Sequence, residues 1–236
     1  MRIEKEPAFI LHSRFYKETS LLLDVFTRNF GRFSMLAKGA RRAHSQWRGM
    51  LLAFQPLELA CSGKGELKNL NKLEWLGGLP QLSGNALCCA FYANELLRVL
   101  LPPFDSNAPL FSDYYALLVR LSQNETENAL RLFELSLLKQ LGYSPFWGRD
   151  SSDLPIDIHQ NYLYHIESGK LLPENQAQFT GIFLSGKTLI NLNLSHFDDF
   201  QTKNEAKQLM RAIFAFHLNG KTLVSREIFR ALLEHR

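Results

Sequence analysis

Five short strand-like runs, each broken off by turn-forming residues, occupy the first eighty positions of this 236-residue chain. They are "AFILHSRF" from Ala8, "SLLLDVFTR" from Ser20, "GRFSMLAKG" from Gly31, "FQPLELAC" from Phe54 and "LKNLNKLEW" from Leu67. So many strands in so little chain fit a small β-barrel. In the third run, alternation sets Phe33, Met35 and Ala37 on one face and Arg32, Ser34, Leu36 and Lys38 on the other. One face fills the barrel while the other turns cations outward. Gly31 after Thr27–Asn29, and Gly63 with Gly65, supply the turns.

Past "LGGLPQLSGN" the period changes from two to about 3.6. "NALCCAFYANELLRVLLPPF" predicts a helix stopped by Pro102 and Pro103, and "PLFSDYYALLVRLSQ" begins one behind Pro109. "NETENALRLFELSLLKQLGY" aligns Leu130, Phe133, Leu137, Leu138 and Leu141, with Gly142 as its stop, and the three helices are expected to bundle. "NEAKQLMRAIFAFHLNG" turns Ala206, Leu209, Met210, Ile213 and Phe216 inward, and a last helix is expected to start at the cap residue Ser225. Between them, residues 144–196 read as an irregular insertion with a small β excursion. The chain is therefore an α+β protein of two domains: 1–80 the barrel, 81–236 mainly helical.

Charge is distributed unevenly over this plan. Residues 1–80 hold 13 Lys/Arg against 7 Asp/Glu, whereas the remainder holds 14 against 16. Between Asp24 and Glu58 there is no acid, but there are Arg28, Arg32, Lys38, Arg41, Arg42 and Arg48. A one-signed segment suggests a polyanion partner; a solvated basic loop with no ligand is the bland alternative. A strand carrying Arg32 and Lys38, followed by a loop carrying Arg41, Arg42 and Arg48, lays charges along a backbone-sized track. Trp47 within that loop either offers a stacking surface to an unpaired base or plugs the loop from below.

Other chemistries find less support. The three cysteines form no Cys-x-x-Cys pair and Cys88 and Cys89 are adjacent, so reduced thiols are expected, with no structural zinc. The N-terminus lacks the apolar core of a secretory signal and no run is long enough to span a bilayer, which reads as a cytoplasmic protein without membrane contact. "GIFLSGKT", Gly181 to Thr188, satisfies the phosphate-loop spacing and raises the alternative of an ATPase. Yet Ile182, Phe183 and Leu184 fill its interior, and "LINLNLSHF" alternates like a strand where a helix should open. Asp150, Asp153, Asp157 and His159 either hold a divalent ion or keep a loop solvated. No Gly-x-Ser-x-Gly elbow occurs.

The order "FILHSRFYKETSLLLDVFT" (Phe9–Thr27), "GRFSMLAKGARR" (Gly31–Arg42), "YANELL" (Tyr92–Leu97), "RLFELSLLKQLGY" (Arg131–Tyr143) and "LNGKTLVSREIFR" (Leu218–Arg230) resembles the bacterial DNA-repair protein RecO family. The resemblance implies an N-terminal OB-fold barrel and a helical C-terminal domain. It implies a non-enzymatic recombination mediator, nucleoid-associated in the cytoplasm, that binds single- and double-stranded DNA and anneals complementary strands. With RecR, such a mediator loads RecA onto strands coated by single-strand-binding protein. Carried over by residue, the DNA track is Arg14, Arg32, Lys38, Arg41 and Arg42, with Arg48 added on charge. Arg131 falls where the family's pocket for the acidic tail of single-strand-binding protein is expected; the alternative is a cation on a solvated helix face. Lys221 and Arg226 match the family's ending and add possible positive surface. Relatives that bind zinc carry four cysteines after the "LGY" motif, and "LGYSPFWGRDSSDLPIDIH" has none, so neither metal nor cofactor is expected. An adaptor that contacts proteins only is the remaining alternative.

Overall fold

Alternation decides the inside of the barrel. In the computed structural model, which describes residues 2–143, 147–174 and 181–234, β3 (Gly31–Ala37) buries every second side chain, with Phe33, Met35 and Ala37 inward as their spacing requires. With β1 (Arg2–Tyr16), β2 (Ser20–Thr27), β4 (Leu57–Ser62) and β5 (Lys68–Trp75) it closes in the order β1-β2-β3-β5-β4, the Greek-key order of an OB-fold. All neighbours are antiparallel except β3 and β5, which meet in parallel through Met35↔Lys68 and Leu36↔Asn69. β1 starts well before Ala8 because it serves two partners, β4 with its first half and β2 with its second. Ile10, Val25, Leu57, Leu59 and Cys61 complete the interior, where burial pushes the Cys61 thiol up to about 11.

One wall of this barrel is covered twice. Ala8, Phe9, Ile10 and Leu11 are all buried, which alternation alone forbids for a half-solvated strand. A register shift between Ile10 and His12 accommodates the extra residue, and Phe9 turns outward onto Phe111 (5.3 Å) and Tyr114 (5.1 Å). Phe26 meets Phe111 in the same layer at 5.5 Å. These rings belong to α2 (Ala108–Ser122), which packs with α1 (Gly84–Leu100). A buried polar relay fastens the layer: Asn94 of α1 donates to the Leu11 carbonyl at 2.9 Å and accepts from the Tyr114 hydroxyl at 2.5 Å. Without Asn94 the Leu11 carbonyl would be buried without that donor.

Two compact units result, Met1–Thr126 with Leu223–Arg236, and Glu127–Thr222. The expected three-helix bundle is thereby divided: α1 and α2 belong with the barrel, α3 (Thr126–Gln140) with the other unit. The first unit also contains α6 (Val224–Glu234), which begins one residue ahead of Ser225. Its cap comes from α1 instead of Ser225: the Glu95 carboxylate accepts from the Val224 and Ser225 amides, both at 2.9 Å, and from the Ser225 hydroxyl at 2.6 Å.

In the second unit, β6 (Asn161–His165), β7 (Lys170–Pro173) and β8 (Ile182–Ser185) form the small antiparallel sheet that the insertion predicts, in the order β7-β6-β8. Residues 144–146 and 175–180 of that insertion lie outside the described residues. "LINLNL" corrects the sequence reading: it is helix α4 (Gly186–Leu194), not a strand. Ser185 caps it by accepting from the Thr188 amide, and Glu205 holds Ser185 at both amide (2.8 Å) and hydroxyl (3.0 Å). α5 (Phe200–His217) buries Ala206, Leu209, Met210, Ile213 and Phe214. Phe216, expected inward, is exposed, because Phe214 completes the i, i+4 step from Met210. Asp199 caps α5; its bond from the Thr202 hydroxyl, with the Thr202 amide and Lys187 adding to it, holds the carboxyl down at about 2.

Candidate nucleic-acid interface

At the end of the barrel opposite the α1–α2 linker's contact with Arg32, the β1–β2 hairpin and the loop leaving β3 come together. Phe15 pairs with Leu21, and Leu21 with Ala37, so Arg14, Phe15 and Lys38 leave the barrel at one end. After Lys38 the chain descends through successive tight turns, with amides of Arg42, Ser45, Arg48 and Met50 donating to carbonyls of Gly39, Arg42, Ser45 and Trp47, each at 3.1 Å. Trp47 is buried against the barrel core together with Ala40, which fixes its role as the plug beneath the loop and removes it as a stacking surface. With the apolar side of the loop tied down, the cations are left outside. Arg41, Arg42, Arg48, Lys38 and Arg14 are all exposed, and among the described residues none of the five has a carboxylate within ion-pair distance.

Two of the five are held in place without being neutralised. The Arg41 amide donates to the Thr19 carbonyl at 2.9 Å and its guanidinium to the Glu18 carbonyl at 3.1 Å, pinning the loop to the hairpin. Arg48 donates to the Ala43 carbonyl at 3.1 Å. Neutral acceptors orient the charges and leave their fields intact, as an anion-binding surface requires.

Arg32 does not join this group. Although it shares the alternation of Lys38, which follows β3 directly, it lies under the α1 end of the wall and donates to the Leu101 carbonyl at 3.1 Å. Burial lowers its pKa from the ordinary arginine value, with Arg98 adding to the effect and Asp24 opposing it. Asp24 meanwhile accepts from Ser34 (2.7 Å) and Arg98 (3.0 Å). Period two foretold which face Arg32 occupies but not that helices would cover it.

The remaining expected residues fare differently. Arg131 is paired at 2.7 Å with Glu134, and the two side chains are only 11% and 1% exposed, so it is no cation on a solvated helix face. Arg226 lies over the Tyr92 ring and donates to its hydroxyl at 3.1 Å, fastening α6 to α1. Lys221 is exposed. What the sequence reading missed is Phe15, whose place on a core rung conceals that it overruns the barrel; it is 75% exposed with the Arg41 guanidinium 3.9 Å from its ring centre.

The phosphate-loop pattern dissolves in the fold. Four of its residues are strand β8, which pairs antiparallel with β6, so no loop exists to encircle a phosphate. Its glycines answer to packing: side chains at Gly181 and Gly186 would strike the carbonyl oxygens of Tyr164 and Asp157. Lys187 is engaged with Asp199 at 3.2 Å. The acidic cluster likewise serves the backbone, Asp150 accepting from the Ser152 and Leu154 amides and Asp157 from that of His159. Among the described residues no three His, Cys, Asp or Glu side chains gather as a metal site, and no helix is long and apolar enough to cross a membrane.

Two family models match the chain, "Recombination protein O N terminal" over residues 1–79 and "Recombination protein O C terminal" over 81–227. Among curated relatives, the DNA repair protein RecO of Dechloromonas aromatica (strain RCB) is 45% identical, over 99% of this chain and 98% of its own length. That of Polynucleobacter necessarius subsp. necessarius (strain STIR1) is 43% identical over 97% and 96%, and that of Aromatoleum aromaticum 40% identical over 99% and 98%.

Proposed function

The chain belongs to the RecO family of DNA repair proteins, and from that premise we propose that the basic end of its barrel grips DNA backbones and lets complementary strands pair. The observation that carries this reading is the set of exposed cations, Arg14, Lys38, Arg41, Arg42 and Arg48, oriented by neutral carbonyls or by none, with no carboxylate among the described residues to quench them. Two strands repel through their phosphates. A surface that neutralises part of both while leaving base edges free lowers the barrier to pairing without forming or breaking a covalent bond. The protein acts as a mediator and not as an enzyme.

In the same proposal, the family's partners are RecR, the acidic tail of single-strand-binding protein, and through them RecA. Arg131 would receive that tail only in competition with Glu134, which already holds it. Lys221, exposed in the second unit, offers a further single positive charge.

The test is annealing of complementary oligonucleotides, naked and coated with single-strand-binding protein, by the wild type and by an Arg41→Glu/Arg42→Glu variant. Both activities are expected to collapse in the variant. For about four or five phosphate contacts on a single strand, log K of the wild type should fall with log salt at a slope of about −3 to −4. A protein-only adaptor would instead anneal naked strands as well after the double substitution, and its salt slope would lie near zero.

A further inference from the structure

A phenylalanine ring three-quarters exposed on a hairpin is an expense in apolar hydration that a fold can avoid by choosing a polar residue. Phe15 is also not loose. One face of the ring carries the Arg41 guanidinium at 3.9 Å, and Arg41 is itself fixed to the hairpin through the Glu18 and Thr19 carbonyls. On β1 the preceding residue is the exposed Arg14, and the loop that supplies Arg41 also supplies Lys38, Arg42 and Arg48. An oriented flat ring, cationic on one side and surrounded by unneutralised charge, matches the chemistry of one ligand class: an aromatic group attached to a polyanion.

Resting on the reading of the barrel end as a DNA-backbone site, we propose that Phe15 is a stacking platform for an unpaired nucleobase. The surrounding cations take the phosphates on either side. A base in a duplex has both its faces occupied by neighbours and is unavailable to the ring, so the platform makes this end of the barrel favour single strands. Trp47 cannot serve, being buried beneath the loop. Arg41 contributes twice, as a charge for phosphate and as the backing of the ring.

The experiment compares three ligands, an oligothymidine, an abasic strand of equal length and a duplex, on the full-length chain and on Phe15→Ala and Phe15→Trp. Phe15→Ala should weaken oligothymidine binding by about ten- to a hundredfold and leave the abasic strand and the duplex within about twofold. Its salt slope should stay parallel to that of the wild type, because a base contact releases no counterions. Phe15→Trp should restore affinity, with indole fluorescence quenched by oligothymidine and not by the abasic strand. Equal affinities of Phe15→Ala and wild type for oligothymidine, while Arg41→Glu/Arg42→Glu loses binding, would overturn the platform and leave the backbone site standing; Phe15 would then be a contact for a protein partner. If neither variant alters binding, both proposals fall together.

Discussion

Two ends of one barrel treat the same chemistry in opposite ways. Arg32 on β3 and Lys38 just past its end stand six residues apart in one alternation, yet Arg32 is half-buried at the end of α1 and bonded to Leu101, whereas Lys38 is exposed. At the covered wall Arg32 bonds the carbonyl just past α1, and Asp24 of β2 accepts from both Ser34 of β3 and Arg98 of α1. At the open end, five cations have no countercharge among the described residues, and the two that are held, Arg41 and Arg48, are held by neutral carbonyls. The difference is made by what packs on the strand and not by the strand itself. A positive residue is therefore informative about ligands only once its surroundings are known.

The comparison can be broken most forcefully at the wall. Asn94→Ala removes the donor to the Leu11 carbonyl and the acceptor of the Tyr114 hydroxyl, two buried groups. It is expected to cost about 2–4 kcal/mol of unfolding free energy, read as a lower denaturation midpoint, with the DNA affinity of the folded protein unchanged. Next in size is Arg32→Ala, expected to cost about 1–2 kcal/mol of stability through its lost carbonyl bond, with an unaltered salt slope for DNA binding. Lys38→Ala should behave inversely: an unchanged denaturation midpoint and a salt slope shallower by about 0.7 on single strands. If Arg32→Ala flattened the slope as much as Lys38→Ala, the division between wall and open end would be wrong. The smallest effect concerns pH. Burial first, and Arg98 next, lower the His12 pKa below the ordinary 6.5, against the opposing pull of Asp24. The unfolded chain therefore takes up a proton at higher pH than the folded one, so stability is full above about 6.5 and declines as pH falls towards the folded value. His12→Gln should remove that part of the acid dependence of the denaturation midpoint.

Much of this was legible in residues before any coordinates. The strands announced themselves through β3's alternation, α1 through its two terminal prolines, and the basic loop through its missing acids. What escaped was always decided by distant partners. Ile190 to Leu194 alternate as a strand does, but the capping Ser185, braced by Glu205, starts a helix just ahead of them. Ser225 looks like a cap and is itself capped by Glu95, 130 positions earlier. Phe15 passes unremarked in the sequence: its rung partners are Leu21 and Ala37, and the overrun of the hairpin beyond the barrel, which puts it in water, is set by pairing that the sequence does not print. Trp47 held both readings open until its burial chose one.

The clasp between Glu95 and the start of α6 also imposes an order on biosynthesis. A ribosome has finished Glu95 long before it reaches Val224, and everything from Glu127 to Thr222 is translated in the interval. During that delay the carboxylate on α1 lacks the amides it will later hold, and the barrel unit waits, one helix short, while the other unit is being made.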